Sequence, residues 1–242
     1  MPCNELINLQ NVVLEYPKFS YTKPSIKQLF GVNKNYKNIR AIDEVSLSIS
    51  EGEKVALIGH NGAGKSTFLK MIAGIYPINS GHLTVCGDIR SMFDISLGFE
   101  PDATGRENIL YRSLLMGISP SEVKSKEREI VEFSELGEFI DLPIRSYSAG
   151  MLVRLAFSIT TAYRAELLLI DEVIGAGDAS FIEKAKNRLL ELINESKSLI
   201  LASHDESMVR KICNRGIVFK NGKVVCDDSI DNALHFYSNL TK

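Results

Sequence analysis

Apolar and polar positions follow a strand-rich pattern that is interrupted once by a helical stretch and then resumes. Residues 6–16 alternate weakly and read as a strand ending near Tyr16-Pro17. Val45, Leu47 and Ile49 alternate with polar neighbours, which makes 44–50 a half-buried strand. Glu51-Gly52 turns the chain into Val55-Ala56-Leu57-Ile58, a short continuous apolar run that fits a buried strand. Phe68, Leu69, Met71 and Ile72 then recur at helical spacing, and Gly81-His82-Leu83-Thr84-Val85 reads as another strand.

From about residue 100 to 160 the pattern is helical. Thr104-Gly105-Arg106-Glu107 is a capping box, and Gly117 suits the end of the helix that follows. Ser119-Pro120-Ser121-Glu122 opens a second helix with proline at its favoured first position, and the charges of 122–138 read as its wet face. A third helix starts near Ser148. The strand pattern resumes at Leu167-Leu168-Leu169-Ile170, continuous and apolar as a central parallel strand covered on both faces should be. A helix over Phe181 to Asn194 and a strand at Leu199-Ile200-Leu201-Ala202 come next. Ile217-Val218-Phe219 and Val224-Val225 flank Asn221-Gly222, a strong hairpin signal, and a helix from about Ser229 to Leu240 closes the chain.

At 242 residues, 45% of them hydrophobic, the chain suits one large domain or a core with a subdomain inserted in it. The expected division is a core of about 1–90 and 160–242 with a helical insertion of about 91–159. The net charge of −2 argues against nucleic-acid binding through an overall positive surface. Cys3, Cys86, Cys213 and Cys226 are scattered, which fits reduced thiols better than a disulfide framework or a zinc site. The start, Met1-Pro2-Cys3-Asn4-Glu5, lacks the basic and apolar blocks of a signal peptide. The best apolar run, Leu155 to Tyr163, falls well short of the roughly 20 residues that span a bilayer. Residues 17–40 carry six basic residues (Lys18, Lys23, Lys27, Lys34, Lys37, Arg40) and no acid, which reads either as a solvated loop or as a contact with anionic lipid.

The candidate chemistry begins at Gly59-His60-Asn61-Gly62-Ala63-Gly64-Lys65-Ser66-Thr67. This stretch fits G-x-x-x-x-G-K-[S/T] and has a strand before it and a helix after it, the context that separates a phosphate loop from a glycine-rich turn. Its glycines let backbone N–H groups curve around a phosphate chain, and the helix turns its positive end toward the same anion. Lys65 can reach the outer phosphates, and the Ser66 hydroxyl can bind Mg²⁺.

Three further features narrow the reading. The 167–170 strand ends in Asp171-Glu172, with Asp171 placed to hold Mg²⁺ and Glu172 to polarise an attacking water. Ser203-His204-Asp205 ends the next strand, so His204 sits at the same sheet edge, where it can hydrogen-bond a terminal phosphate. Tyr147-Ser148-Ala149-Gly150-Met151 lies at a helix start about 20 residues before Asp171, where exposed N–H groups suit a second anion.

With these motifs the chain resembles the ATP-binding-cassette (ABC) transporter ATPase subunits over nearly its whole length. The fold class implied is α/β: a P-loop NTPase of ABC type, a mixed sheet core with an antiparallel β part and an inserted helical subdomain. The resemblance also implies ATP and Mg²⁺ as ligands and a head-to-tail dimer, in which ATP lies between one copy's 59–67 loop and the other copy's Ser148, Ala149, Gly150 and Met151. By the same resemblance Gly175-Ala176-Gly177-Asp178 crosses the dimer interface, with Asp178 as its acidic residue. Tyr16 best matches the aromatic that stacks on adenine, with Tyr21, Phe30 and Tyr36 as alternatives. The family's usual signature is Leu-Ser-Gly-Gly-Gln, from which this chain departs. It also lacks the family's glutamine between the two ATP motifs, its only glutamines being Gln10 and Gln28. Asp94 is the nearest polar residue at that place and the remaining candidate for the metal.

The run Gly98-Phe99-Glu100-Pro101-Asp102-Ala103-Thr104-Gly105-Arg106-Glu107-Asn108 resembles that of bacterial polysaccharide exporters. So do the Tyr-Ser-x-Gly-Met signature and the run from Asp171 to Phe181. This implies an ATPase peripheral to the cytoplasmic face of the inner membrane. It would work with a separate transmembrane permease and handle a lipid-linked glycan of the O-antigen, teichoic acid or capsule type indirectly. No C-terminal carbohydrate-binding domain is expected, since the chain stops at Lys242 directly after the ATPase core. The competing readings are a drug or lipid exporter, a non-transport ABC ATPase acting on DNA or the ribosome, and a nucleotide switch without turnover.

Overall fold

The computed structural model describes residues 5–17, 38–93, 98–171 and 179–240. The chain divides into two compact units, Met1–Cys86 with Ala202–Lys242, and Gly87–Leu201.

In the first unit β1 (Glu5–Pro17) is flanked by β2 (Asn38–Ser50) and β4 (Ser80–Val85), both antiparallel to it. The register slips around Asn11, which takes left-handed backbone at φ 49°, and Ser46 Oγ accepts the Asn11 N–H at 2.8 Å. The strand expected over 44–50 begins earlier, at Asn38, because Ile39 and Ile42 pair with Tyr16 and Leu14 on β1. Arg40 therefore lies in a ladder, ion-paired to Glu15 at 3.0 Å and Asp43 at 2.7 Å, and not in a loose basic loop. The other five basic residues of that segment lie outside the described residues.

A second group of strands in this unit joins β3 (Lys54–Ile58) to β8 (Arg215–Lys220) in parallel and β8 to β9 (Lys223–Ser229) in antiparallel fashion. The β8–β9 turn is the hairpin expected at Asn221-Gly222, with φ 50° and 80° at the two positions. Helices α1 (Lys65–Ile72), α6 (Glu206–Ile212) and α7 (Ile230–Leu240) complete the unit. Helix α7 packs so close to β8 that a Cβ on Gly216 would lie 2.5 Å from Cβ of Ala233. Cys213 is buried, which pushes its thiol up to about 12 and leaves it inert at neutral pH.

The second unit holds β5 (Ile89–Met92), parallel to β6 (Leu167–Asp171), with β7 (Ser198–Ala202) next in strand order. Leu167 to Ile170 are all buried, as expected of a strand with neighbours on both sides. Four helices accompany them: α2 (Gly105–Leu115), α3 (Pro120–Ser134), α4 (Ala149–Thr161) and α5 (Ala179–Glu195). Ile109, Ile130, Leu155 and Ile159 lie fully buried in a core shared by α2, α3 and α4. The short β5 and the seven-residue α6 had no clear sequence signal.

The helix starts follow the expected caps. Thr104 Oγ1 accepts the Glu107 N–H, while the Glu107 carboxylate takes the Thr104 N–H at 2.8 Å. These bonds hold the Glu107 carboxyl below its usual range, so the cap is complete above the ordinary glutamate pKa and weakens as the pH falls. Ser119 caps α3 with Pro120 in its first turn, and Gly117 ends the preceding segment at φ 79°. Asn108, fully buried, knits the 100–104 turn together. Its Oδ1 accepts the Glu100 N–H at 2.8 Å, and its Nδ2 donates to the carbonyls of Glu100, Ala103 and Thr104 at 2.9–3.2 Å. Part of the run that resembles polysaccharide exporters is thus a folding device. Asn108→Ala leaves these groups without their partner and is expected to destabilise the chain by about 2–4 kcal/mol in urea unfolding.

Candidate functional site

The phosphate loop is shaped by crowding. Gly59 leaves β3 at φ 153°, where a Cβ would lie 2.5 Å from the Phe219 carbonyl oxygen on β8. Gly64, the residue before α1, sits at φ 115° with room for no Cβ, since the Ala41 carbonyl oxygen would be 2.8 Å away. The hairpin turn presses on the same loop, and Gly222 N–H donates to the Ala63 carbonyl at 2.9 Å. Gly62 differs: at φ 81° it needs glycine for its backbone alone, with nothing within 4 Å of a Cβ.

Inside this frame the Lys65 ammonium is buried and donates to the carbonyls of Gly59 at 2.5 Å and His60 at 3.2 Å. Its position in the curve of its own loop places a fixed positive charge where a phosphate chain would be wrapped. Gly64 brings no side-chain oxygen to the first N–H groups of α1, and the first turn carries no acid. Both features leave the positive helix end suited to an anion. Ser66 is exposed, Thr67 half-buried, Ala63 buried, and His60 and Asn61 lie on the outer rim.

Tyr16 ends β1 close to this helix. Its ring meets Tyr76 edge-on, with centroids 5.6 Å apart at 84°, and its hydroxyl hydrogen-bonds Thr67. Burial pushes its phenol above the usual value. The structure brings Tyr16 to the phosphate loop by a contact that spacing alone did not reveal. Tyr21, Phe30 and Tyr36 lie outside the described residues. His204 follows β7 and is exposed. Asp205 beside it caps α6, accepting the N–H groups of Ser207 at 2.9 Å and Met208 at 3.1 Å, which fixes the exit of the strand.

In the second unit Ser148 caps α4, its Oγ accepting the Met151 N–H at 3.3 Å. Ser148 and Ala149 are exposed, Gly150 and Met151 half-buried, and the first turn again carries no acid. Tyr147, where the signature usually has leucine, is buried and donates its hydroxyl to the Phe139 carbonyl at 2.6 Å. A Cβ on Gly105 would lie 2.4 Å from that hydroxyl oxygen, so Gly105 and Tyr147 are fitted to each other. Asp171, half-buried, ends β6. Glu172, Asp178 and Asp94 lie outside the described residues. The first unit therefore carries Tyr16, the 59–67 loop and His204, and the second carries 148–151 and Asp171. Sequence reasoning missed the buttress of Ala41, Phe219 and Gly222. The Asn221-Gly222 turn was visible as a hairpin, but nothing in it marked a packing partner.

A buried parallel strand, a glycine loop enclosing a lysine and an uncapped helix start define a P-loop nucleotide-binding protein of mixed α/β class. The family model described as ABC transporter matches residues 42–175. The O-antigen export system ATP-binding protein RfbE of Yersinia enterocolitica is 40% identical over 92% of this chain and 97% of its own length. The teichoic acids export ATP-binding protein TagH of Staphylococcus epidermidis is 37% identical over 98% of this chain and 89% of its own. A dimeric, post-hydrolysis structure of the ATP-binding cassette MJ0796 with ADP and Pi superposes with a TM-score of 0.69 at 24% identity. That likeness covers 93% of this chain and 98% of the other. The chain belongs to the ABC transporter family, as its motifs implied, and it has that family's fold.

Lys65→Ala removes the one buried ammonium set in the loop. It is expected to weaken nucleotide binding by about 100-fold in a fluorescent-nucleotide titration, with the thermal midpoint nearly unchanged.

Proposed function

We propose that this chain is the ATP-hydrolysing subunit of a bacterial exporter that moves a lipid-linked, O-antigen-like polysaccharide across the cytoplasmic membrane. The observation that carries the reading is the phosphate loop, with the Lys65 ammonium drawn onto the Gly59 and His60 carbonyls. The relatives named for O-antigen and teichoic acid export support the substrate class.

Two copies close on two nucleotides, each held by the 59–67 loop of one and by Ser148 and Gly150 of the partner subunit. Gly150 favours this arrangement. A Cβ there would meet only Ser148 Oγ, at 3.9 Å, and its φ is not positive, so its own fold does not require glycine. The missing side chain serves something that approaches from outside.

By their sequence motifs Ser66 and Asp171, with Asp94 a third candidate, would hold Mg²⁺, since hydroxyl and carboxylate oxygens are the hard donors that ion takes. Bound there, the ion would supply charge neutralisation at the outer phosphates. Lys65 holds those phosphates, and Tyr16 carries the base at the end of β1. Glu172 accepts a proton from the attacking water as its oxygen bonds to the γ-phosphorus. The bond to the β-phosphate oxygen breaks and ADP carries that electron pair away. His204 hydrogen-bonds the transferred group, and Asp178 lies at the seam of the dimer.

Among the described residues no helix is long and apolar enough to cross a membrane. A separate permease supplies the path. Leu110, Tyr111, Leu114 and Leu115 leave an exposed apolar stretch on α2 that suits contact with such a partner.

Glu172→Gln is expected to bind ATP, slow turnover by about 100-fold or more, and accumulate an ATP-dependent dimer in light scattering. Turnover at the unaltered rate would overturn the assigned base. Gly150→Asp is expected to keep thermal stability while abolishing both the ATP-dependent dimer and turnover, because it sets a carboxylate against the incoming phosphates. An ATP-dependent dimer that survives this substitution would remove the composite site.

A further inference from the structure

Helix α3 ends on Glu135, which takes left-handed backbone at φ 54° and ψ 31°. Glycine takes that conformation without a Cβ penalty, as Gly137 does two residues later at φ 55°. A glutamate is disfavoured there, so its side chain must offset the cost. The carboxylate has two partners from two other helices. Oε1 accepts from Lys184 Nζ on α5 at 2.7 Å, and Oε2 accepts from Arg154 Nη1 on α4 at 3.3 Å.

The surroundings stiffen this junction. Lys184 also donates to the Phe133 carbonyl at 3.1 Å and lies over the Phe133 ring, 4.6 Å from its centroid. The Arg154 guanidinium lies over the Phe181 ring of α5 at 5.0 Å, and its side chain is only 17% exposed. Glu135, Arg154, Ser148 and Gly150 line one shallow cavity of about 410 Å³. The carboxylate thus joins the first turns of the helix that starts at Ser148 to the helix that follows β6 and Asp171 in the chain. A second tie, Arg188 with Glu129 and the Thr161 carbonyl, holds the far end of α4 instead.

We propose that Glu135 is a positioning residue, which fixes the 148–151 turn relative to α5 so that nucleotide closure and hydrolysis stay coupled. This rests on the reading of 148–151 as the turn that meets the partner subunit's nucleotide. An isolated surface pair would contribute little. Here one carboxylate in a disfavoured backbone serves three helices, and the two cations are themselves fixed on aromatic rings.

Glu135→Gly separates the two roles, since it relaxes the backbone while deleting the carboxylate. In the full chain it is expected to lower kcat by about 10-fold and reduce dimer formation with a non-hydrolysable ATP analogue. Nucleotide affinity of the isolated subunit and the thermal midpoint should be unchanged or, for the latter, raised. Lys184→Ala, which removes one arm, should reproduce the kcat loss, whereas Glu129→Gln, at the far end, should not. A Glu135→Gly variant with wild-type kcat would overturn the proposal, as would a kcat loss that follows a fall in thermal midpoint. A wild-type chain without ATP turnover would instead overturn the ATPase reading and this inference with it.

Discussion

Close backbone approach at the phosphate loop is the constraint on which the nucleotide site depends. Three separate segments meet there: strand β2 at Ala41, the loop itself, and the end of β8 with its hairpin. Two of the loop's glycines are required because carbonyl oxygens of Phe219 and Ala41 occupy the space a Cβ would need. The loop is therefore held from outside before any ligand is considered. A preorganised anion cradle loses less entropy on binding than a mobile one, and Lys65 benefits directly because its ammonium is fixed by two carbonyls of the same loop.

The second unit solves a different problem. It starts α4 at an exposed turn, and that turn is fixed by caps. Ser148 starts α4 with its hydroxyl accepting the Met151 N–H, and Tyr147, the residue before it, is anchored by its hydroxyl to the Phe139 carbonyl. Gly105, at the start of α2, makes room for that tyrosine. Two features that read as separate family traits, the T-G-R-E-N run and the tyrosine version of the signature, are in contact. A Cβ at residue 105 would collide with the Tyr147 hydroxyl and also with Ile140, so packing couples the two runs in this chain.

Much of this was legible in the sequence because it depends on local rules. The capping box at Thr104, the cap and proline at Ser119-Pro120, the cap at Ser148 and the hairpin at Asn221-Gly222 are decided by a few adjacent residues. The phosphate loop was legible because its glycine spacing is local as well. What escaped was set by pairing across the chain. Residues 38–43 look like loop until Glu15 and Tyr16 are known to lie opposite them. Met92 and its neighbours form a strand because β6 lies alongside. The contact of Tyr16 with Thr67 and Tyr76, and that of Glu135 with Arg154 and Lys184, join residues whose separation in sequence carries no signal.

The glycines of the two units make the sharpest contrast. Gly59 and Gly64 are explained by their own fold, since any side chain would collide with fixed backbone. Gly150 has no such explanation: its surroundings would accept a methyl group and its backbone lies in an ordinary region. A residue whose smallness the protein's own packing does not need is best understood through what approaches it from outside. In the first unit glycine builds the loop, and in the second it leaves an exposed helix start without a side chain. The proposed site shared between two copies calls for that division, because one copy would grip the phosphates while the other would come close without obstruction.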